Sequence, residues 1–237
     1  MIIDSHTHIG KFPLFNVESS AESLISVMDE WKINTSITFS LPNRLTLEGV
    51  RKFPDRFAGL VWINPHKGQK AIEEIDLAIT EWGFKGIKMH PLIDSYLVDQ
   101  EIVYPIMDLA KKHRVPVLFH CGHPPWSLPW HFANLADVYP DVTIIMAHMG
   151  HGHIVYINGA IDVASAHENI ILETSGMPMH SKIKEAAERV GVNRIIFGSD
   201  SPFGHPSFEI QKVKVSGLSR DQVDLILGEN TKTIFKL

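Results

Sequence analysis

Short apolar, β-branched runs punctuate the chain at Ile2–Ile3, Thr35–Phe39, Phe57–Ile63, Phe84–Met89, Val115–Phe119, Thr143–Ala147, Ile170–Leu172 and Arg194–Phe197. Each is bounded by turn residues, the pattern of a strand buried on both faces. Between them, apolar residues recur at spacings of three and four. Ser19–Trp31 aligns Leu24, Ile25, Met28 and Trp31, and Gln69–Trp82 aligns Ile72, Ile75, Ile79 and Trp82. Glu101–Lys112 reads as a third helix, with Pro105 pointing to a later start. Ser181–Val190 ends at Gly191, and Ser219–Leu227 opens on a serine cap and stops at Gly228.

Eight strands alternating with helices predict a mostly parallel sheet. Eight such units in 237 residues fit a (β/α)8 TIM barrel occupying 1–237 as one domain. A doubly wound open sheet is the rival. No strand runs into a G-x-G-x-x-G turn, which weakens its dinucleotide-binding version.

Composition narrows the function classes. Lys+Arg total 22 against 27 Asp+Glu, a formal charge of -5, so the basic footprint expected for nucleic acid or an anionic membrane is missing. No secretory leader pattern and no apolar run of membrane-spanning length is visible, and the expected setting is cytoplasmic. One cysteine excludes an intrachain disulfide and a cysteine-based zinc finger, whereas 14 histidines stand out.

The histidines concentrate where strands end. The first strand runs into Asp4-Ser5-His6-Thr7-His8, the fourth ends Lys88-Met89-His90, the fifth Phe119-His120, the sixth Ala147-His148, and the eighth leads to Asp200. In a barrel these ends form the active-site floor. About one H-x-H pair is expected by chance at this histidine content, so context decides. His6 and His8 lie on a strand, where alternation turns both to one face, able to chelate one ion. His151 and His153 form a second pair in a Gly-rich loop, and His151 is expected to line the mouth against substrate.

The stretches D-S-H-T-H-I-G, F-K-G-I-K-M-H-P, V-P-V-L-F-H-C-G, I-I-M-A-H-M-G and I-I-F-G-S-D-S-P resemble, in order, the amidohydrolase superfamily, and within it the amidohydrolase 2 group. The resemblance implies that His6, His8, His120 and Asp200 hold a metal. It further implies that Asp200 takes a proton from bound water and that His148 polarises a carbonyl and shuttles a proton. A strand 4 glutamate used by binuclear relatives is replaced here by Lys88 and His90.

Three imidazoles, a carboxylate and an open position suit a catalytic divalent ion, with one Zn2+ as the default; iron, manganese or cobalt tolerate the same ligands. The expected reaction is attack of activated water on a lactone, ester or amide of a small, anionic or cyclic substrate. The alternative is nonoxidative decarboxylation of an aromatic or unsaturated carboxylate on the same site. The compactness of the chain argues against the alternative, since it leaves little room for pocket-building insertions. A metal-binding module without turnover is a third reading.

Lys88 is open between three roles: a carboxylated bridge to a second metal, a cation for a substrate carboxylate, and a structural partner of an acid. Lys88, His90, Trp126 and His151 are the expected substrate-binding residues. Trp126 lies in the Pro-rich loop after the fifth strand and either walls the pocket or packs onto the barrel. Asp4 shares the parity of His6 and His8, and Glu173 faces either the pocket or the helices. Self-association rests on analogy with other barrels.

Overall fold

The computed structural model describes residues 1–237. Its main sheet has eight parallel strands in the order β1 (Ile3–His8), β4 (Thr35–Phe39), β5 (Phe57–Ile63), β6 (Gly86–Met89), β7 (Val117–His120), β8 (Ile144–Ala147), β9 (Ile170–Glu173) and β10 (Ile195–Ile196). The last strand returns to the first through three backbone hydrogen bonds. Ser5 N donates to Phe197 O at 3.0 Å, Asp200 N to His6 O at 2.8 Å, and His8 N to Ser201 O at 2.7 Å. The TIM-barrel expectation is met, and the open-sheet rival is not. A two-stranded hairpin, β2 (Gly10–Phe12) and β3 (Val17–Ser19), follows β1 and went unpredicted.

The helices wrap the sheet: α1 (Ala21–Glu30), α2 (Asn43–Lys52), α3 (Gln69–Thr80), the short turn α4 (Pro91–Asp94), α5 (Tyr104–His113), α6 (Pro129–Val138), α7 (Ile154–Ala166), α8 (His180–Val190), α9 (Pro206–Lys214), α10 (Arg220–Asp224) and α11 (Asn230–Phe235). Ser20 caps α1 in a reciprocal box with Ser23, and Ser219 caps α10 with Gln222. The final helix does not stop at Gly228. It continues through a π turn, Leu225–Glu229, into α11. Gly228 is required for a different reason: a Cβ there would stand 2.6 Å from Met1 O, where the chain enters β1.

Alternation along the strands divides the core. Outward residues such as Val61, Ile87, Phe119, Met146 and Leu172 join the helices in a cluster of 51 buried residues. Inward residues form a smaller cluster of 11, including Ile37, Leu60, Leu118, Ile145, Ile171 and Ile196. That inner layer fills the barrel below the strand ends, so the cavity above it has a rigid floor. No helix is long and apolar enough to cross a membrane.

Candidate active site

The inward positions turn polar at the C-terminal ends of the same strands. Leu118 gives way to His120, Ile171 to Glu173, and Gly86 to Lys88, each two residues on. His6, His8, Lys88, His120, His148 and Glu173 are all buried. A cavity of about 510 Å3 opens above them, lined by the four histidines and Lys88 together with His90, His123, His151, Asp200, Trp62, Phe12 and Phe203.

Asp200 is the focus. Its Oδ1 lies 3.2 Å from His6 Nε2 and 3.0 Å from His8 Nε2. Its backbone is left-handed, with φ 56°, a conformation uncommon for a side-chain-bearing residue and held here by the Asp200 N to His6 O bond. Burial opposes ionisation of Asp200. The imidazoles of His6, His8 and His148 outweigh it and hold the carboxyl well below the usual carboxylate range.

Glu173 organises the next layer. It accepts from His6 Nδ1 at 3.0 Å, Ser175 Oγ at 2.9 Å, Ser175 N at 2.5 Å and His148 N at 3.2 Å. The residue therefore faces inward, behind the donors, and not the helices. Gly198 makes this contact possible, since a Cβ there would meet Glu173 Oε1 at 2.3 Å and His6 Cβ at 2.8 Å. Asp4 is buried outside the cavity lining. Its Oδ1 accepts from His6 N at 3.1 Å and Ser199 N at 2.9 Å, tying β1 to the approach to Asp200. Burial pushes the Asp4 carboxyl up to about 7.

Burial also lowers the pKa of every histidine in the cluster; that of His148 falls to about 3. Neutral imidazole is the metal-ligating form. With Nδ1–H donated to Glu173, His6 Nε2 must present a lone pair to the ionised Asp200 Oδ1. Two acceptors facing each other at 3.2 Å call for a shared cation. Donor atoms of His6, His148 and Asp200 lie within 4.8 Å of one another, and this nitrogen–oxygen set fits a divalent ion.

Of the ligands expected from sequence, His6, His8 and Asp200 converge directly. His120 stands to one side, its Nδ1 3.0 Å from His148 Nε2. The tight trio thus contains His148, expected to polarise a carbonyl and shuttle a proton. Ser175 O, 3.1 Å away, accepts a hydrogen bond from His148 Nδ1–H and leaves Nε2 as the acceptor. His123, absent from the sequence-derived site, continues the line: its Nδ1 is 2.7 Å from His120 Nε2.

Lys88, His90 and His151, expected to bind substrate, line the cavity. His90 stacks between Trp62 and His120, with ring centroids 5.8 and 4.0 Å away. Lys88 Nζ is buried without a hydrogen-bond partner, 4.9 Å from the Phe39 ring centroid. Burial lowers its pKa to about 8, with Asp200 and Glu173 opposing the shift. No acid pairs with it, so its structural-partner role is corrected. Trp126 is also corrected: it does not line the cavity, and its carbonyl accepts from Val98 N at 3.2 Å, folding the loop back onto the barrel. Trp62 supplies the indole, and its inward parity with Leu60 was the available signal.

A cluster of imidazoles around Asp200, backed by Glu173, on the strand ends of a parallel barrel has the donor set of the metal-site enzymes built on this fold. The chain belongs to the Amidohydrolase family, whose sequence profile matches residues 3–237. It is 26% identical over 248 residues to gamma-resorcylate decarboxylase of Rhodococcus jostii, covering 82% of this chain and 75% of that protein. Against gamma-resorcylate decarboxylase of Polaromonas sp. it is 23% identical over 271 residues, covering 92% and 81%. In fold it is similar to 5-carboxyvanillate decarboxylase of Novosphingobium aromaticivorans, determined with manganese and 4-hydroxy-3-methoxy-5-nitrobenzoic acid (TM-score 0.82, 16% identity, 100% and 96% covered). It is similar also to 2,6-dihydroxybenzoate decarboxylase from Rhizobium (TM-score 0.78, 18% identity, 99% and 98% covered).

These relatives overturn the expectation of hydrolysis and favour its alternative. The compactness argument failed because short loops still enclose about 510 Å3. Ligand chemistry had not separated the two reactions, since one donor set serves both.

Proposed function

We propose that this enzyme catalyses nonoxidative decarboxylation of a hydroxylated aromatic carboxylate. The observation carrying this reading is the similarity to gamma-resorcylate decarboxylases over most of both chains. The unpartnered Lys88 cation, the one basic side chain besides neutral imidazoles in the cavity lining, supports it, because it offers positive charge to an anionic substrate.

We assign a divalent ion to His6, His8 and Asp200, with His120 and His148 supplying the remaining nitrogen. The ion would be manganese, as in the Novosphingobium protein, or zinc. When bound, it would fix the substrate carboxylate and an adjacent oxygen and offset their charge. Lys88 Nζ would hold a second anionic oxygen of the substrate, and His90 would lie beside the ring plane. Asp200 accepts a proton from the ortho hydroxyl and returns it to the carbon bearing the carboxylate. The electron pair of the departing C–C bond restores the aromatic ring, and CO2 leaves. His148, fixed by Ser175 through Nδ1, keeps its Nε2 lone pair free for the ion.

The test is CO2 release from 2,6-dihydroxybenzoate and 5-carboxyvanillate by the metal-loaded enzyme, with ring opening of a lactone panel in parallel. CO2 with resorcinol as co-product is expected from the first. Lactone turnover without CO2 release would overturn the reading. Anomalous scattering at the metal edges gives ion identity, and one ion per chain would reject the carboxylated-Lys88 bridge.

A further inference from the structure

We infer that the substrate carries an apolar extension on the side of the ring remote from its carboxylate, seated in a vestibule built by the hairpin and the segment after β10. This rests on the decarboxylase reading above and specifies its substrate class. The first observation is size. An apolar cavity of about 150 Å3 suffices for a benzene ring, whereas this cavity measures about 510 Å3. A one-ring acid engaged by the imidazoles leaves most of that space unused.

The second observation is how the lining is sorted. Lys88 and Asp200 are its only formally charged residues, and both stand with the buried imidazoles at the inner end. Toward the hairpin the lining becomes Phe12, Phe15, Val17 and Phe203, while Leu92 and Ile93 of α4 add apolar lining after β6. Exposure rises the same way, to 37% at Phe203 and 56% at Phe15. Phe203 joins the hairpin to the metal-binding end. Its ring lies 4.9 Å from Phe12, 5.0 Å from Phe15 and 5.1 Å from His8. A contiguous exposed apolar surface continuous with a reactive site is the mark of a ligand groove. His123 and His151 occupy the other flank, so the extension points toward the hairpin. With the carboxylate at the inner end, the ring position para to it faces the vestibule. An alkyl or aryl group there would bury against aromatic edges without stranding a polar atom.

The test compares 2,6-dihydroxybenzoate with its 4-propyl and 4-pentyl derivatives in the metal-loaded enzyme. A kcat/KM at least tenfold higher for the propyl acid is expected, since each methylene in a fitted apolar pocket contributes on that scale. Phe15→Ala removes an exposed ring from the vestibule without touching the core. It should reduce the propyl-over-parent ratio several-fold, as should Phe203→Ala. Binding of resorcinol and 5-propylresorcinol, read by indole fluorescence, tests the vestibule without turnover. At least tenfold tighter binding of the propyl compound supports it, and equal binding overturns it. CO2 release from the parent acid equal to or faster than from the alkylated acids also overturns it, leaving the decarboxylase reading intact. Absence of CO2 from all three, with propyl-selective binding, would sink the reaction assignment and keep the vestibule.

Discussion

The barrel interior has two layers separated by one step of strand alternation, and they behave as different materials. The lower layer, with Leu60, Leu118, Ile145, Ile171 and Ile196, is apolar and buried. The upper layer, with His6, Lys88, His120, Glu173 and nearby His148, is equally buried but polar. Moving two residues along β7 changes Leu118 into His120, and along β9 Ile171 into Glu173. The lower layer gains stability by excluding water. The upper layer burdens the fold with desolvated groups, offset by hydrogen bonds to Glu173 and Ser175 and by the charge of Asp200. One layer thus holds the shape and the other spends it on chemistry.

The sharpest separation is expected at Asp200. Asp200→Asn removes the group proposed to carry the proton and the anionic ligand oxygen. It should lower kcat/KM for CO2 release by about 10^3-fold, the middle of the range for loss of a proton carrier, while thermal unfolding stays near that of the parent. An activity loss matched by loss of fold would break the distinction between layers.

The converse substitution is Leu118→Ala. Leu118 is fully buried in the lower layer, so truncation should cost about 3 kcal/mol in denaturant unfolding. Turnover of the protein that remains folded should change only a few-fold. His120→Ala, two residues away on the same face, should show the reverse pattern: small change in unfolding, large loss in CO2 release.

Glu173 joins the layers, and its effect should be intermediate. Glu173→Gln places an amide where four donors converge, from His6, His148 and both polar groups of Ser175. Loss of a carboxylate behind a metal-ligating histidine weakens metal binding by about 10- to 100-fold. Competition with a chelator of known affinity measures this directly. Unchanged metal affinity would place Glu173 with the structural layer.

Much of this division was legible along the chain. The eight strands announce themselves because parallel-barrel strands are apolar on both faces, and His6 with His8 follow from alternation on β1. What escaped depended on tertiary placement. The direction of Glu173 is set by the space at Gly198, which no periodicity encodes. Trp126 seemed a pocket wall because its loop is long, yet backbone pairing with Val98 turns that loop back. His123 became part of the site through contact with His120, in a loop without repeating pattern. Gly228 resembled a helix stop while serving the close approach of Met1. Reaction class was illegible because nitrogen and oxygen donors around a divalent ion support both water activation and carboxylate binding.

The smallest predicted effect concerns Lys88, where function and stability pull in opposite directions. Its ammonium is fully buried, unpartnered and flanked by the Phe39 ring. Burial lowers its pKa from 10.5 to about 8. Between those values the unfolded chain retains the proton that the folded chain has released. Unfolding stability therefore rises with pH across that window, and below about 8 the folded state carries the full penalty of a buried charge. Lys88→Met keeps the length of the side chain and removes the charge. At pH 7 it should raise stability by about 1 kcal/mol and flatten the rise between pH 8 and 10.5. The same variant should weaken KM for the carboxylate substrate more than it lowers kcat. A loss of stability in Lys88→Met at pH 7 would mean that the upper layer contributes to the fold as the lower one does.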